Sequence, residues 1–388
     1  MKEFSHKAIH DKGKSVAFDV IVLGGGLAGL CTAIHLSKFG KKVLLIEKNE
    51  YPKHKVCGEY ISNEVLPYLG FLNFNPFDFG AVKIKKFQLS TRRNKIISAK
   101  LPLGGFGISR YQLDFLLSEK AKENGVTILQ DVVTNVSFSE NIFSVKTKES
   151  RNFTSKITLG AFGKRSLLDV KMERNFIQKK APYLGVKIHV KGNFPEDLVA
   201  LHNFKGGYCG VSKIENDAIN LCYITNFSSF KKHKNIEDFQ QKVVFENQFL
   251  KEIFNNSNAL FEKPLTISQI SFEIKKPVEN HILMCGDAAG MIHPLCGNGM
   301  SMAIQSAQLA SLLILNYLNG KIMSRKELEK QYIRQWNKKF RVRLKVGHFI
   351  AMLFRKDKIA TVLLQVLKKL PFLLPLIIKQ THGKPMKI

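Results

Sequence analysis

Three glycines and one acidic residue near the amino terminus have the types and spacing needed to bind a dinucleotide. Gly24 permits a tight turn, Gly26 lets the backbone approach a pyrophosphate, and Gly29 lets a helix pack closely on a strand. Glu47 stands where a carboxylate accepts hydrogen bonds from a ribose diol and repels a 2′-phosphate. These four residues would hold a cofactor, and the reaction itself must be sought elsewhere in the chain.

A strand, a helix and a second strand must position these residues. The apolar run 20–23 is typical of a buried strand, and the spacing of Leu27 and Leu30 predicts a helix. The run 43–46 predicts a second strand that ends on Glu47. Because the first amides of the helix and its positive dipole end would face the phosphates, this unit predicts a Rossmann-like nucleotide-binding domain.

A basic loop follows Glu47 directly. It contains Lys48, Lys53 and Lys55 and then the segment 57–59, which reads CGE. Its position predicts that the loop lies along the dinucleotide, with its lysines near the pyrophosphate or the ribityl chain and with 57–59 entering the site. The alternative, a solvated basic loop with one buried thiol, stays open.

A second glycine-rich turn lies far along the chain, after a fully apolar strand. Asp287 at the strand end can accept hydrogen bonds from a sugar-like chain, and Pro294 stiffens the loop. Gly297 and Gly299 free the backbone for close approach to a flat ligand. The helix that begins near Met300 would aim its amino end at this ligand, where it could stabilise negative charge on a reduced ring.

Arg110 stands at the start of another predicted helix. A cation is unfavourable at that end of a helix dipole, so we expect a nearby anion to hold it. Asp114, one turn further on, is the alternative partner.

Composition narrows the classes of protein. The 388 residues include 45% hydrophobic residues, typical of a soluble globular protein, and carry a net charge of +29. This excess raises the question of an anionic partner, with compositional drift as the alternative. The six cysteines are scattered without a CxxC pair, so we expect no metal site and reduced thiols in a cytoplasmic protein.

We expect an α/β (or α+β) fold with an inserted antiparallel sheet that could form one wall of a substrate cavity. Strands at 184–190, 199–204, 208–214 and 219–225 and a single helix at 236–254 are predicted within the insert. The predicted domains are an N-terminal extension at 1–17, a dinucleotide-binding domain at 18–180 and 275–320, the substrate sheet at 181–274, and a helical C-terminal region at 321–388.

The C-terminal region is basic and amphipathic. Residues 321–388 carry 18 Lys and Arg against three acids, and apolar residues recur at helical spacing between 359 and 370. No apolar stretch approaches the roughly 18 residues of a spanning helix. The region predicts either a helix lying on an anionic membrane surface, peripheral to its inner face, or a helix that caps the substrate domain.

These pieces together resemble the flavoprotein oxidoreductases with the fold of aromatic-ring hydroxylases, and among them the geranylgeranyl reductase family. The matching segments are GGGLAG at 24–29 with Glu47, KVCGE at 55–59, SRYQLD at 109–114, GAFGKRS at 160–166 and GDAAGMIHPLCGNGMSMA at 286–303. The resemblance implies FAD as the resident dinucleotide. The residues predicted to contact it are Gly24, Gly26, Leu27, Ala28, Gly29, Glu47, Lys48, Lys55, Cys57, Gly58, Arg110, Gly163, Gly286, Asp287, Pro294, Gly297, Asn298, Gly299 and Met300.

Two departures from the related families bear on the reaction. Phe162 stands where hydroxylases of this fold usually carry Asp, and the substrate sheet has GGYCGV at 206–211 where the reductases usually carry a Trp-containing motif. The only tryptophan, Trp336, lies outside that sheet, so a flavin halogenase is not expected. The chain has no second strand–GxGxxG–helix unit, so NAD(P)H or another reductant would visit transiently.

The reading favoured by sequence is an FAD enzyme that delivers hydride to a carbon–carbon double bond of a large apolar, lipid-like substrate. Position alone selects Cys57, Glu59 and Tyr208 as candidate catalytic residues. One alternative is an NAD(P)H-dependent monooxygenase acting on an aromatic or polyketide lipid. Another is a non-enzymatic binder of membranes or nucleic acid, which rests on net charge alone, and we expect no nucleic-acid partner.

Overall fold

The computed structural model describes residues 16–179, 181–354, 357–370 and 372–388. Most of the predicted N-terminal extension therefore lies outside the described residues. Two β-sheets and a helical C-terminal region make up the fold, as the sequence predicts.

The strands of the described residues, in chain order, are β1 (Val16–Leu23), β2 (Val43–Glu47), β3 (Tyr60–Ser62), β4 (Val82–Ser90), β5 (Ile96–Gly107), β6 (Thr127–Gln130), β7 (Val133–Ser139), β8 (Ile142–Thr147), β9 (Asn152–Gly160), β10 (Tyr183–Gly192), β11 (Leu198–Phe204), β12 (Gly207–Lys213), β13 (Ala218–Asn226), β14 (Ser257–Ala259), β15 (Leu265–Ile270), β16 (Val278–Glu279) and β17 (Ile282–Met284). The helices of the same residues are α1 (Leu27–Lys38), α2 (Leu66–Phe71), α3 (Arg110–Glu123), α4 (Leu167–Lys171), α5 (Phe227–Phe230), α6 (Ile236–Lys242), α7 (Gln248–Asn255), α8 (Gly299–Leu318), α9 (Arg325–Phe354), α10 (Asp357–Lys369) and α11 (Leu373–Thr381).

The first sheet has a parallel centre in the order β17-β9-β1-β2-β6. Its inner strands read as continuous apolar runs because both faces are covered, and every residue of β2 is buried. Parallel neighbours bring their carboxyl ends to one edge of the sheet. Gly24, Glu47, Ala161 and Cys285, which end β2 or directly follow β1, β9 and β17, therefore meet at that edge, where α/β sheets bind their ligands.

The second sheet has the order β14-β10-β13-β12-β11-β4-β5-β3 and is antiparallel apart from the β11–β4 pair. The hairpin β4–β5 belongs to this sheet, although the sequence analysis assigns it to the nucleotide domain. Residues 198–202 of β11 pair with 86–90 of β4. Hairpin signals are local, whereas the choice of sheet depends on this pairing with a strand far along the chain.

The single helix predicted at 236–254 is wrong, because the chain forms α6, a short turn and α7. Asn247 is fully buried, and its side-chain oxygen accepts from the amides of Phe249 and Leu250 at the start of α7. Its amide group donates to Thr91 O and Asn203 O on the second sheet. This cap and its tertiary anchor end one helix and begin the next.

The C-terminal helices cover two parts of the molecule. The helix α9 packs on α8, and Tyr332 on α9 donates a 2.6 Å hydrogen bond to Met284 O at the end of β17. The helices α10 and α11 bury Leu367, Leu374 and Ile378 in a cluster with the second sheet. Within the described ranges, no helix combines the length and the hydrophobicity needed to cross a bilayer.

Candidate functional site

The turn between β1 and α1 forms an anion-binding end for the site. Gly24 has φ +104°, and a Cβ on Gly29 would overlap the Gly24 carbonyl oxygen, so the glycines permit α1 to sit directly on the turn. Gly26 has extended backbone and open space in front of it, with the Arg110 guanidinium 3.6 Å from where its Cβ would lie. The free amides that follow, beginning at Leu27 and Ala28, have no intrahelical partners and can donate to a phosphate.

Glu47 holds this turn from the end of β2. One of its carboxylate oxygens accepts from Gly25 N at 2.7 Å, and the other accepts from the backbone and side-chain amides of Asn49. Tyr51 donates its hydroxyl hydrogen to Gly25 O. Since each carboxylate oxygen can accept twice, the oxygen bonded to Gly25 N retains capacity for one hydroxyl of a ribose diol. Lys48 is exposed beside it, and its role as a cofactor contact stays a prediction.

Arg110 and Lys55 converge on one buried carboxylate. Arg110 makes a bidentate pair with Asp114 at 2.7 Å, and Lys55 Nζ lies 2.6 Å from the same Asp114 side chain. Burial alone would raise the pKa of Asp114, but the two cations hold it below its ordinary value. Two positive charges on one negative charge leave a net positive charge beside Gly26, as a pyrophosphate site requires.

Beneath the 57–59 segment lies an ionic cluster that sequence reasoning missed. Glu59 is fully buried with φ +52°, and its carboxylate accepts from Lys187 Nζ, from Arg110 N at 2.7 Å and from His189 Nε2 at 2.6 Å. Burial would raise the pKa of Glu59, but the His189 hydrogen bond and the Lys187 charge hold it below its ordinary value. Lys187 and His189 occupy alternate positions of the apolar strand β10, and this pattern could have indicated a buried anionic partner.

Cys57 and Gly58 precede this cluster. Cys57 is half-buried, its carbonyl accepts from Asn220 on β13, and burial raises the pKa of its thiol. Gly58 is exposed with open space where a Cβ would stand. The segment therefore leaves room for a flat ligand beside a protonated thiol.

The loop after β17 brings the second predicted half of the site to the same sheet edge. Gly286 has φ +60°, a Cβ there would lie 3.1 Å from Ala28 Cβ on α1, and its amide donates to Ser306 on α8. Lys275 Nζ donates to Asp287 O and Lys164 O, both at 2.7 Å. These contacts tie the loop to α1 and to the 160–166 turn.

The Asp287 carboxylate has acceptor capacity to spare. Burial raises its pKa, and within the described part of the chain no side chain donates a hydrogen bond to it. Burial also lowers the pKa of Lys164 and of Lys275 to about 8. Gly163, in the 160–166 turn, has φ +82°, and the space that a Cβ would occupy there is open. An acceptor of this kind fits the hydroxyls of a ribityl chain, so the residues present fit FAD.

The segment 294–300 lies where the sequence analysis places the flavin ring. Pro294 begins a 3-10 turn that ends at Gly297 with φ +62°, and α8 begins at Gly299, one residue before the predicted start. Asn298 is fully buried and donates a 2.7 Å hydrogen bond to Thr381 O from the C-terminal region. The same region is bound again where Met386 N donates to Glu64 O. The loop expected to flank the ring, which includes buried Met300, is thus bound through Asn298 to the last residue of α11.

Tyr208, the third candidate catalytic residue, lies on β12 of the second sheet and not in the 57–59 segment. Its ring centroid is 6.0 Å from that of His293, which lies 4.5 Å from Phe272. In the residues that the structure describes, the Tyr208 hydroxyl is buried and has no hydrogen-bond partner. Tyr208 faces the 286–300 loop, whereas Glu59 is enclosed in its ionic cluster. A catalytic role for Cys57, Glu59 or Tyr208 stays a prediction.

Comparisons with known proteins agree with this geometry. Residues 19–56 match the family described as FAD dependent oxidoreductase. The chain is 25% identical to conditioned medium factor receptor 1 of Dictyostelium discoideum over 86% of this chain and 69% of that protein. It is 25% identical to a digeranylgeranylglycerophospholipid reductase of Methanococcus vannielii over 83% of each chain. It is 19% identical to a menaquinone reductase of Mycobacterium tuberculosis over 76% of each chain.

Solved structures share the fold. The flavin-dependent brominase Bmp2 superposes with a TM-score of 0.79 at 19% identity, over 96% of this chain and 95% of that one. A probable FAD-dependent monooxygenase of Pseudomonas aeruginosa, pqsL, superposes with a TM-score of 0.70 at 15% identity. The superposition covers 90% of this chain and 100% of that one. At these identities the likeness shows the fold alone. The predicted fold class and the resemblance to FAD-dependent flavoproteins are confirmed.

Proposed function

We propose that this chain, which is an FAD-dependent oxidoreductase, reduces a carbon–carbon double bond in a long apolar, lipid-like substrate. Two of its relatives carry reductase names, one with a digeranylgeranylglycerophospholipid and one with menaquinone as the named substrate. Both align over more than three quarters of this chain. The substrates in these names are apolar lipids, and they support the proposal because an apolar cluster lies beside the candidate site.

A continuous apolar cluster beside the 286–300 loop carries the proposal. The cluster joins the face of the second sheet, the inner sides of α10 and α11, and two residues of the loop, Met291 and Leu295. Burial of each methylene group in such surroundings contributes about 0.8 kcal/mol, so a long hydrocarbon chain would bind without polar recognition. Because α10 and α11 lie on the sheet, entry of such a chain requires these helices to part from it.

FAD, when bound and reduced, would supply the hydride for one carbon of the double bond. The other carbon needs a proton, and two side chains could hold it. Burial raises the pKa of Cys57, so its thiol stays protonated, and burial raises that of Tyr208 well above its ordinary value. Glu59 stays ionised and enclosed, so we assign it to positioning of the 57–59 segment and of α3.

The two electrons for each cycle must come from outside the chain. We propose NAD(P)H or another diffusible reductant. Such a donor would meet the flavin transiently, because the sequence has one strand–GxGxxG–helix unit and Glu47 belongs to it.

Anaerobic incubation tests the proposal. The holoprotein, reduced by dithionite, is mixed with a glycerophospholipid that carries geranylgeranyl chains. The masses of the products are then measured by mass spectrometry. We expect a gain of two hydrogens for each reduced bond. Boiled holoprotein with the same reductant is the control, and absence of the gain across isoprenoid lipids of several chain lengths would overturn the proposal.

A flavin monooxygenase is the second candidate, because pqsL shares the fold over the whole of its own length. With oxygen and NAD(P)H, hydroxylation would add one oxygen atom to the product. Halogenation would instead require added halide and would add a halogen mass. The same mass spectra therefore separate the three reactions.

A further inference from the structure

The apolar residues of α10 lie on one broad face, and only one edge of that face is covered. Leu367 is buried against the second sheet and Leu363 is half-buried there. Ile359, Val362 and Val366 are exposed, with Val362 at 59%. Their spacing of three and four residues places them on one line along the helix. An amphipathic helix that only capped the substrate sheet would present polar residues on that line.

Large exposed apolar residues also occur on the neighbouring helices. Phe349 and Met352 near the end of α9 are 55% and 46% exposed, and Phe372 and Leu376 at α11 are 60% and 49% exposed. We call these residues, with Ile359, Val362, Val366 and Leu370, the apolar ridge. The helix α9 contacts both α10 and α11, so the ridge lies on adjoining helices. Single exposed apolar residues are ordinary, but a run of large ones marks an interaction surface.

The charge around the ridge indicates its partner. Residues 321–388 carry 18 Lys and Arg against three acids, and Asp357 is the only acid between 330 and 388. Lys345, Lys368 and Lys369 are exposed beside the ridge. A second copy of this chain would bring the same positive charge and be repelled. An anionic lipid surface offers both the negative charge and an apolar layer.

We propose that α10, α11 and the end of α9 dock on an anionic membrane leaflet, with the apolar ridge in the interface and the lysines on the headgroups. The inner sides of α10 and α11 cover the apolar cluster of the second sheet. The same two helices therefore separate the membrane from the proposed substrate site. This last step rests on the proposed function, whereas the docking itself does not.

Vesicle sedimentation of the full-length holoprotein tests the docking. Vesicles of phosphatidylcholine alone are compared with vesicles that contain phosphatidylserine, at low and high salt. We expect binding to the anionic vesicles to exceed binding to the neutral ones about tenfold or more and to weaken with salt. Equal binding to both kinds of vesicle, or binding to neither, would overturn the proposal.

Double variants test whether the apolar ridge and its lysines are the surface that binds the vesicles. Val362→Ser with Val366→Ser should weaken anionic vesicle binding about tenfold, and Lys368→Glu with Lys369→Glu should do the same while reducing the salt dependence. The matched control is Ile142→Ser with Val170→Ser, also exposed but on β8 and α4, and it should bind like the parent chain.

Two further readouts separate the outcomes. FAD content and unfolding temperature should be unchanged in all variants, since the ridge touches neither the cofactor residues nor the core. If the ridge variant instead converts a dimer to a monomer in sizing columns and leaves vesicle binding intact, the ridge binds a second copy and the proposal fails. Vesicle binding without reduction of any lipid would refute the proposed function and leave the docking standing.

Discussion

The predicted adenosine end and the predicted ring end of the candidate cofactor site are built in different ways. The adenosine end lies within β1, α1 and β2, and its main polar contact joins Gly25 to Glu47 across 22 residues. The ring end joins Glu59 to Lys187 across 128 residues and Asn298 to Thr381 across 83. The first end is fixed by local backbone geometry, in which side chains at the glycines would obstruct, and by contacts from the nearby Glu47 and Tyr51 side chains. The second is fixed by buried side chains that must find each other through the tertiary fold.

The largest effect should come from the ring end, by Glu59→Gln. The change leaves Lys187 buried without its counter-charge, which should cost about 3 kcal/mol of unfolding free energy and loosen Arg110. Chemical denaturation and flavin absorbance measure the two effects. Glu246→Gln, which breaks the half-exposed pair with Arg92, is the control and should cost under about 1 kcal/mol.

The same variant gives a pH test. The folded-state pKa of Glu59 is lowered, so its stabilisation is complete above the unfolded value of about 4.3 and is lost as pH falls through the folded value. The stability difference between the parent chain and Glu59→Gln should therefore shrink as pH falls from about 5 toward 3. A difference that stays constant over this range would mean that Glu59 is not ionised in its cluster.

The second-largest loss of stability should come from Gly29→Ala at the adenosine end. The new methyl group would overlap the Gly24 carbonyl oxygen, so α1 must shift from the turn, at about 2 kcal/mol. FAD should be lost together with stability. Gly70→Ala in α2 meets open space and should slightly stabilise the protein. If Gly29→Ala kept full FAD affinity, the adenosine end would not depend on backbone approach.

Arg110 lies between the two predicted ends of the site. We expect Arg110→Met to have a smaller effect on stability than the two changes above. Loss of a charged donor to the pyrophosphate should weaken FAD binding about tenfold or more, measured by flavin fluorescence during titration. Arg325→Met is the control, because it removes a buried guanidinium that donates to Asn141 O and Lys156 O, outside the predicted cofactor contacts. It should lower stability to a comparable degree while leaving FAD affinity unchanged, and a parallel loss of affinity would contradict the assignment.

Tyr208→Phe should have the smallest effect on stability. Its hydroxyl has no partner among the described residues, so its removal should change the unfolding free energy by under about 0.5 kcal/mol. Tyr332→Phe, which loses the buried bond to Met284 O, should cost about 1 kcal/mol or more. A slower reductive turnover in Tyr208→Phe with unchanged FAD affinity would support contact with substrate.

The sequence predicts the fold class and both glycine turns because their signals are local. The positive φ angles of Gly24 and Gly297, the position of Glu47 at the end of β2 and that of Asp287 in the turn after β17 follow from neighbouring residues. The Glu59 cluster and the placement of β4–β5 could not be predicted in the same way. Each depends on which distant strand becomes a neighbour, and a single sequence carries no direct record of that choice.

The bond from Asn298 to Thr381 bears on how the protein is made. The ribosome adds Thr381 83 residues after Asn298, and Lys387, whose carbonyl accepts from Gln308, comes 79 residues after its partner. The β1–α1–β2 unit can form early in synthesis, but the ring end waits for these later residues. We therefore expect the predicted ring end to be completed only after Thr381 has been synthesised, and a nascent chain stalled before that residue would lack the bond that holds Asn298.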